Sequence, residues 1–181
     1  MVRKLKYQEK KLLKKVDFIT WDIDNNLHEG KILHRYHIKK REHYSLYNKL
    51  AAEIRDIATS LKDFPLNDPF RRKNVKRLLD KLYALGLIPS ADSLERAAKV
   101  TASSFCRRRL PVMMQRLGMT EFIKEASEFV EQGHVRVGTE LVTDPAFLVS
   151  RNLSDMVTWT RKSKIREHVL NYNNERDDFY L

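Results

Sequence analysis

The chain has one cysteine, five glycines and five prolines in 181 residues, and its 24 Asp plus Glu are outnumbered by 35 Lys plus Arg. A lone cysteine leaves no intrachain disulfide framework and no zinc site built from several thiolates, so a reducing compartment is expected. So few glycines and prolines leave few interruptions, which favours long helices and makes each break informative. No run approaches the roughly 18 to 20 consecutive apolar residues of a membrane span. In the opening MVRKLKYQEKKLLKKVDF, Lys and Arg interrupt every hydrophobic run. Neither secretion nor membrane insertion is expected, and a segment rich in Lys that holds Glu9 and Asp17 fits a transit peptide poorly. There is no internal repeat, no low-complexity tract and no nucleotide-binding or catalytic motif.

What is present is a core and a charge. Hydrophobic residues make up 42% of the chain, enough to bury an interior despite a charged fraction of 33%. The length suits one domain of ordinary size, or a small domain with folded extensions. A formal net charge of +11 points to a polyanionic partner without naming it.

The first 15 residues are the most biased, with Arg3, Lys4, Lys6, Lys10, Lys11, Lys14 and Lys15 facing only Glu9. Interleaved Leu5, Leu12, Leu13 and Val16 make a basic amphipathic helix or a basic tail equally compatible with the pattern. Residues 17 to 40 show no sustained period. They hold His28, His34 and His37, with His43 just beyond, at spacings that match no metal site, so no metal is expected. From Arg41 to Leu61, Tyr47, Leu50, Ala51, Ile54, Ile57, Ala58 and Leu61 recur at three and four, which predicts an amphipathic helix. Phe64-Pro65-Leu66 breaks it. Asn67-Asp68-Pro69 then predicts a second helix, with Asp68 at the N-cap, Pro69 in the first helical position, and Val75, Leu78, Leu79, Leu82 and Leu85 inward until Gly86. Its first turns carry Arg71, Arg72, Lys73, Lys76 and Arg77, an additional basic surface. Residues 88 to 104 read as a connection with a short helix near Leu94 to Val100.

The richest stretch runs from Ser103 to Trp159. Cys106, Leu110, Met113, Met114 and Leu117 predict one helix stripe, with Arg107, Arg108 and Arg109 fanned around its other side at about 100° per residue. A second helix is expected from Thr120 to Gln132, with Thr120 as N-cap and Phe122, Ile123, Ala126, Phe129 and Val130 inward. The period then switches to two. Val135 and Val137 alternate with His134 and Arg136, Gly138-Thr139 fits a tight hairpin turn, Leu141 and Val142 begin the return, and Asp155 to Trp159 reads as one more strand. Cys106 and His134 do not make a catalytic pair, because the thiol lies on the apolar stripe and no orienting carboxylate accompanies them. Trp21, Trp159 and the seven tyrosines are available to stack bases, although burial is their commoner fate.

The runs RRLPVMMQRLGM and EASEFVEQGHVRVG resemble the αL RNA-binding domain of the small-subunit ribosomal protein four family. SSFCRRRLPVMMQRLGM, VTDPAFLVSRNLSDMVTW, SKIREHVLNYNNERDDF, NDPFRRK and the opening segment extend the resemblance over nearly the whole chain, to the eukaryotic nucleolar branch of that family. The branch belongs to the U-three small nucleolar ribonucleoprotein. One departure is that Gly138-Thr139-Glu140 stands where the broader family has Asn-Gly, so no contact of that asparagine is carried over.

The resemblance implies an α+β fold, mostly helical. Residues 1–102 would form a helical region with a basic extension, 103–160 an αL domain of two helices and a short twisted hairpin, and 161–181 a C-terminal extension. It implies an RNA face of Arg107, Arg108, Arg109, Arg116, His134 and Arg136, beside the additional basic surface of Arg71, Arg72, Lys73, Lys10, Lys11, Lys14 and Lys15. The implied role is that of a non-enzymatic assembly factor in the nucleolus, within the nucleus, without cofactor, membrane or small-molecule substrate. Its RNA partners would be the U-three snoRNA and pre-rRNA, and its protein partners an M-phase phosphoprotein and a Brix-domain protein. A structural ribosomal protein of the same fold is the alternative, and an RNA-modifying enzyme with an αL appendage a more distant one.

Overall fold

Helix dominates, as the scarcity of Gly and Pro implies. The structure, a computed structural model, describes residues 3–13 and 27–175. The chain divides into two compact units between Arg107 and Arg108, whereas the reading of the sequence placed the division at 102/103.

The first unit contains α1 (Tyr7–Leu13), α2 (Leu27–Arg35), α3 (Arg41–Asp63), α4 (Pro69–Ala84), α5 (Leu94–Ala98) and α6 (Ala102–Cys106). The 23-residue α3 is its spine. Tyr44, Tyr47, Ala51, Ala58 and Leu61 form its buried face, and α4, α5 and α6 pack against it. The Tyr47 ring lies parallel to that of Phe105 in α6, with centroids 5.6 Å apart. Small residues at 51 and 58 let α5 and α6 come close, and Ala97, Val100, Phe105 and Cys106 complete the core. Leu50 and Ile57, expected inward, are exposed, as is Leu46, because the packed stripe is centred on the tyrosines instead. The helix α2 was not anticipated, since its apolar residues are too few to show a period. It is fixed by a partly buried fork in which Arg41 Nε and an Nη donate to the two carboxylate oxygens of Glu29, at 2.5 and 2.6 Å. Asp68 caps α4 as its sequence requires, accepting from the Phe70 N–H at 2.9 Å with Pro69 behind it. The basic α1 has no buried residue; Lys14 and Lys15 lie outside the described residues.

The second unit contains α7 (Leu110–Arg116), α8 (Ile123–Glu131), β1 (Val135–Val137), β2 (Glu140–Leu141), β3 (Val157–Trp159) and α9 (Lys164–Tyr172). The three strands form an antiparallel sheet in the order β2-β1-β3. Pairing of Val137 with Glu140 leaves Gly138-Thr139 as a two-residue loop. Gly138 has φ +63 and Thr139 has a negative φ, the pattern of a type II′ turn with glycine in its first central position. The alternation read from the sequence holds, with Val135 and Val137 buried and Arg136 facing away. These two valines join Leu110, Met113, Met114, Ala126, Val130, Val149 and Val157 in one cluster. The strand expected at 155–159 begins with a 3-10 turn (Ser154–Met156) and is extended only from Val157.

Two helices differ from expectation. The single stripe from Cys106 to Leu117 is broken: α6 ends at Cys106 in the first unit, and α7 starts afresh at Leu110. A continuous helix would require an N–H at Pro111 for the Arg107 carbonyl and would press the proline ring against it. Pro111 is instead accommodated in the first turn of α7, after an extended Arg109. Likewise α8 starts at Ile123, with Phe122 rather than Thr120 at its N-cap. Phe122 is exposed, and the buried Thr120 hydroxyl has no partner among the described residues.

Residues 108–110 pair antiparallel with 147–149. Val149 N–H donates to the Arg108 carbonyl at 2.8 Å and Leu110 N–H to the Phe147 carbonyl at 2.9 Å, around an Arg109–Leu148 bridge. The Arg108 side chain repeats the tie: Nε and Nη2 donate to the Val149 carbonyl at 2.8 and 2.5 Å, and Nη2 to Ser154 Oγ at 2.8 Å. Replacing Arg108 by Met keeps most of the bulk and removes these charged donors. It should lower the unfolding free energy of the second unit by roughly 2 to 3 kcal/mol, read by Trp159 fluorescence in urea with Trp21→Phe as background. Asp68→Ala should cost the first unit about 1 kcal/mol, read by far-ultraviolet circular dichroism in the same titration.

Candidate nucleic-acid interface

The six residues assigned to an RNA face fall into two groups by exposure. Arg107, Arg116, His134 and Arg136 reach solvent to differing degrees, whereas Arg108 and Arg109 are 8% and 4% exposed. The expected fan of three outward arginines is therefore corrected. It assumed one unbroken helix; the break at 107–109 places these residues in a turn and a short extended segment, where successive side chains point to different sides. Arg107 follows α6 at its C-cap and donates Nε to the Ser103 carbonyl at 3.3 Å.

Arg108 is the electrostatic centre of the second unit. Burial lowers its pKa first, and the positive charges of Arg151 and then Arg116 lower it further. Three arginines thus share one neighbourhood. The guanidinium of Arg108 is held by a carbonyl and a hydroxyl, so its full charge stays uncancelled by those partners. Arg116 lies in the last turn of α7, where a cation also faces the helix's negative end. Arg151 was not singled out in the sequence. Its only signal there was its position two residues after Val149, which has no meaning until the Arg108 tie is known.

The sheet supplies the remaining groups. Arg136 projects from the face of β1 opposite the two buried valines and donates Nε to Thr158 Oγ1 of β3 at 3.0 Å. This bond steers the guanidinium across the sheet. Among the described residues no carboxylate pairs with Arg107, Arg116 or Arg136. His134 follows Gly133, whose φ of +79 ends α8. Its Nδ1 lies 3.0 Å from the buried hydroxyl of Ser163, and its ring stands edge-on to Phe129. Phe129 in turn meets Trp159 edge-on at 5.8 Å, so Trp159 is half-buried in packing.

In the first unit, Arg71 Nη1 donates to the Phe64 carbonyl at 2.6 Å and Arg72 Nη2 to Asn67 Oδ1 at 3.2 Å, while Lys73 is exposed. Lys10 and Lys11 are exposed on α1. Among the described residues no group of His, Cys, Asp and Glu is arranged to hold a metal ion, and no helix is long and apolar enough to cross a membrane.

Residues 4–107 match the ribosomal protein S4/S9 N-terminal domain and residues 108–156 the S4 domain, meeting at the boundary between the two units. The U3 small nucleolar ribonucleoprotein protein imp3 of Caenorhabditis elegans is 57% identical over 181 residues, covering 100% of this chain and 99% of that one. The human U3 small nucleolar ribonucleoprotein protein IMP3 is 57% identical over 182 residues with the same coverage. Small ribosomal subunit protein uS4 of Caldivirga maquilingensis is 27% identical over 146 residues, 80% of each chain. The chain therefore belongs to the ribosomal protein S4 family and, within it, to the U3 small nucleolar ribonucleoprotein protein IMP3 branch.

Proposed function

We propose that this chain is a non-enzymatic RNA-binding assembly factor of the small-subunit processome, working in the nucleolus. The observation that carries the proposal is the convergence of Arg116 and Arg151 on the buried Arg108, a concentration of positive charge that an RNA phosphate relieves. In the second unit Arg116, Arg136 and the half-buried His134 are assigned to the RNA face, and Arg107 is exposed at the end of the first unit. Arg108 and Arg109 are buried, and Arg108 holds its segment in place from inside. These groups address backbone and local shape rather than a long base sequence. The relatives' names point to the U3 small nucleolar ribonucleoprotein, and the RNAs of this proposal are its snoRNA and the pre-rRNA that the snoRNA pairs with. Two RNA strands repel each other, and a protein that neutralises several phosphates while holding the strands in register lowers the cost of pairing them. The pairing so favoured supports the early cleavages that yield small-subunit rRNA.

The M-phase phosphoprotein and the Brix-domain protein are the proposed protein partners. The exposed Leu46, Leu50 and Ile57 of α3 support docking there, as do Leu5, Leu12 and Leu13 of the α1 segment. The alternative, a structural ribosomal protein, rests on the likeness to uS4, which is weaker in identity and shorter in span. Co-sedimentation separates the two: the proposal expects the chain in nucleolar pre-ribosomal particles, and stable residence in mature cytoplasmic subunits overturns it.

Arg116→Ala and Arg136→Ala should each weaken binding to a U3 snoRNA–pre-rRNA duplex and reduce the slope of log K against log salt by about 0.9. Fluorescence anisotropy across a salt series measures this, and an unchanged slope removes the residue from the interface.

A further inference from the structure

The first unit carries a feature that the S4-unit interface does not use. At the corner between α3 and α4, Phe64, Leu66 and Phe70 are 41%, 76% and 58% exposed, three large apolar side chains within seven residues. Phe64 and Phe70 stand with ring centroids 5.7 Å apart at 52°, an open wedge rather than a closed stack. The corner is held in shape beneath them by the Asp68 cap, by Arg71 on the Phe64 carbonyl, and by Arg72 on Asn67. The rings are therefore displayed by a fixed turn.

Phe70 also heads a line of cations. Lys73, Arg77 and Lys81 follow it at three, seven and eleven along α4, one exposed stripe at helical spacing. Lys73, Arg77 and Lys81 are each four residues apart, about 6 Å along the axis, a spacing comparable to that of successive phosphates on an extended strand. Asp80 is the one carboxylate within α4 itself, with Asp68 capping its start, and among the described residues none of these three cations has an ion pair. The apolar face of α4, with Leu79 and Leu82, is buried in the unit's own core. Exposed rings and cations thus share one side. A helix lying in a membrane surface instead separates an apolar face from a charged one.

We propose that the Phe64–Phe70 wedge and the Lys73–Arg77–Lys81 stripe form a second RNA site, specific for single strands. A splayed base enters against the exposed ring of Phe70 or Phe64, and the flanking phosphates follow the stripe. A duplex keeps its base faces stacked and gains only the cations.

The test uses the full chain carrying Arg116→Ala and Arg136→Ala, so that the S4-unit interface is weakened, with a short fluorescent single-stranded RNA of mixed sequence, the same RNA as a duplex, polyglutamate, and phosphatidylserine vesicles. Adding Lys73→Ala, Arg77→Ala and Lys81→Ala should reduce the salt slope for the single strand by about 2, at about 0.7 for each phosphate. Phe70→Leu keeps apolar bulk and removes the stacking surface; it should weaken single-strand binding about tenfold and leave the salt slope unchanged. Binding to the duplex should be insensitive to Phe70→Leu. The proposal is overturned if Phe70→Leu has no effect on the single strand, if the triple variant keeps the slope, or if polyglutamate or the vesicles bind this surface in preference to RNA. Failure of Arg116→Ala and Arg136→Ala to affect RNA binding refutes the S4-unit interface alone and leaves this site standing.

Discussion

The second unit is organised around the tie between Arg108 and Val149. The 108–110 and 147–149 segments pair through their backbones, and the Arg108 guanidinium then closes on the same place from the side. That single tie settles three things together. It sets Leu110 into the core at the start of α7, it holds the long connection after β2 over the sheet, and it presents Ser154 to begin the turn into β3. A small module with a sheet of eight residues has little apolar area with which to do this by packing alone. A charged hydrogen-bond donor with several N–H groups compensates for what the core is too small to supply.

The same economy explains where charge is placed. An arginine held by a carbonyl and a hydroxyl keeps its full positive charge, and among the described residues Arg116 and Arg151 add to it while no carboxylate pairs with Arg108. By contrast Arg41 in the first unit is paired with the Glu29 carboxylate, which offsets its charge. The two arginines differ in electrostatic consequence because of their acceptors.

Much of the fold was legible in residue order. The period-two Val135–Val137 pattern, the Gly138-Thr139 turn and the Asp68-Pro69 start are local rules that no distant contact overrides. What escaped was decided by tertiary partners. Leu50 and Ile57 fit the helical period as well as Tyr47 does, and only the placement of α5 and α6 decides which stripe is covered. The helix break before Leu110 was written in Pro111, yet the apolar spacing across it was good enough to hide it. The inward Arg108 and the importance of Arg151 depend on Val149, 41 residues from the arginine it binds, and no periodicity carries such a relation.

Cys106 ends α6 fully buried in the first unit, and it is the sole thiol of the chain. An alkylating reagent reaches it only when that unit opens, so its labelling rate is a clock for the opening of one half of the molecule. The other half, which has no thiol, contributes no background. Comparing that clock with and without RNA tells whether a ligand stiffens the helical unit, and no probe has to be engineered into the chain.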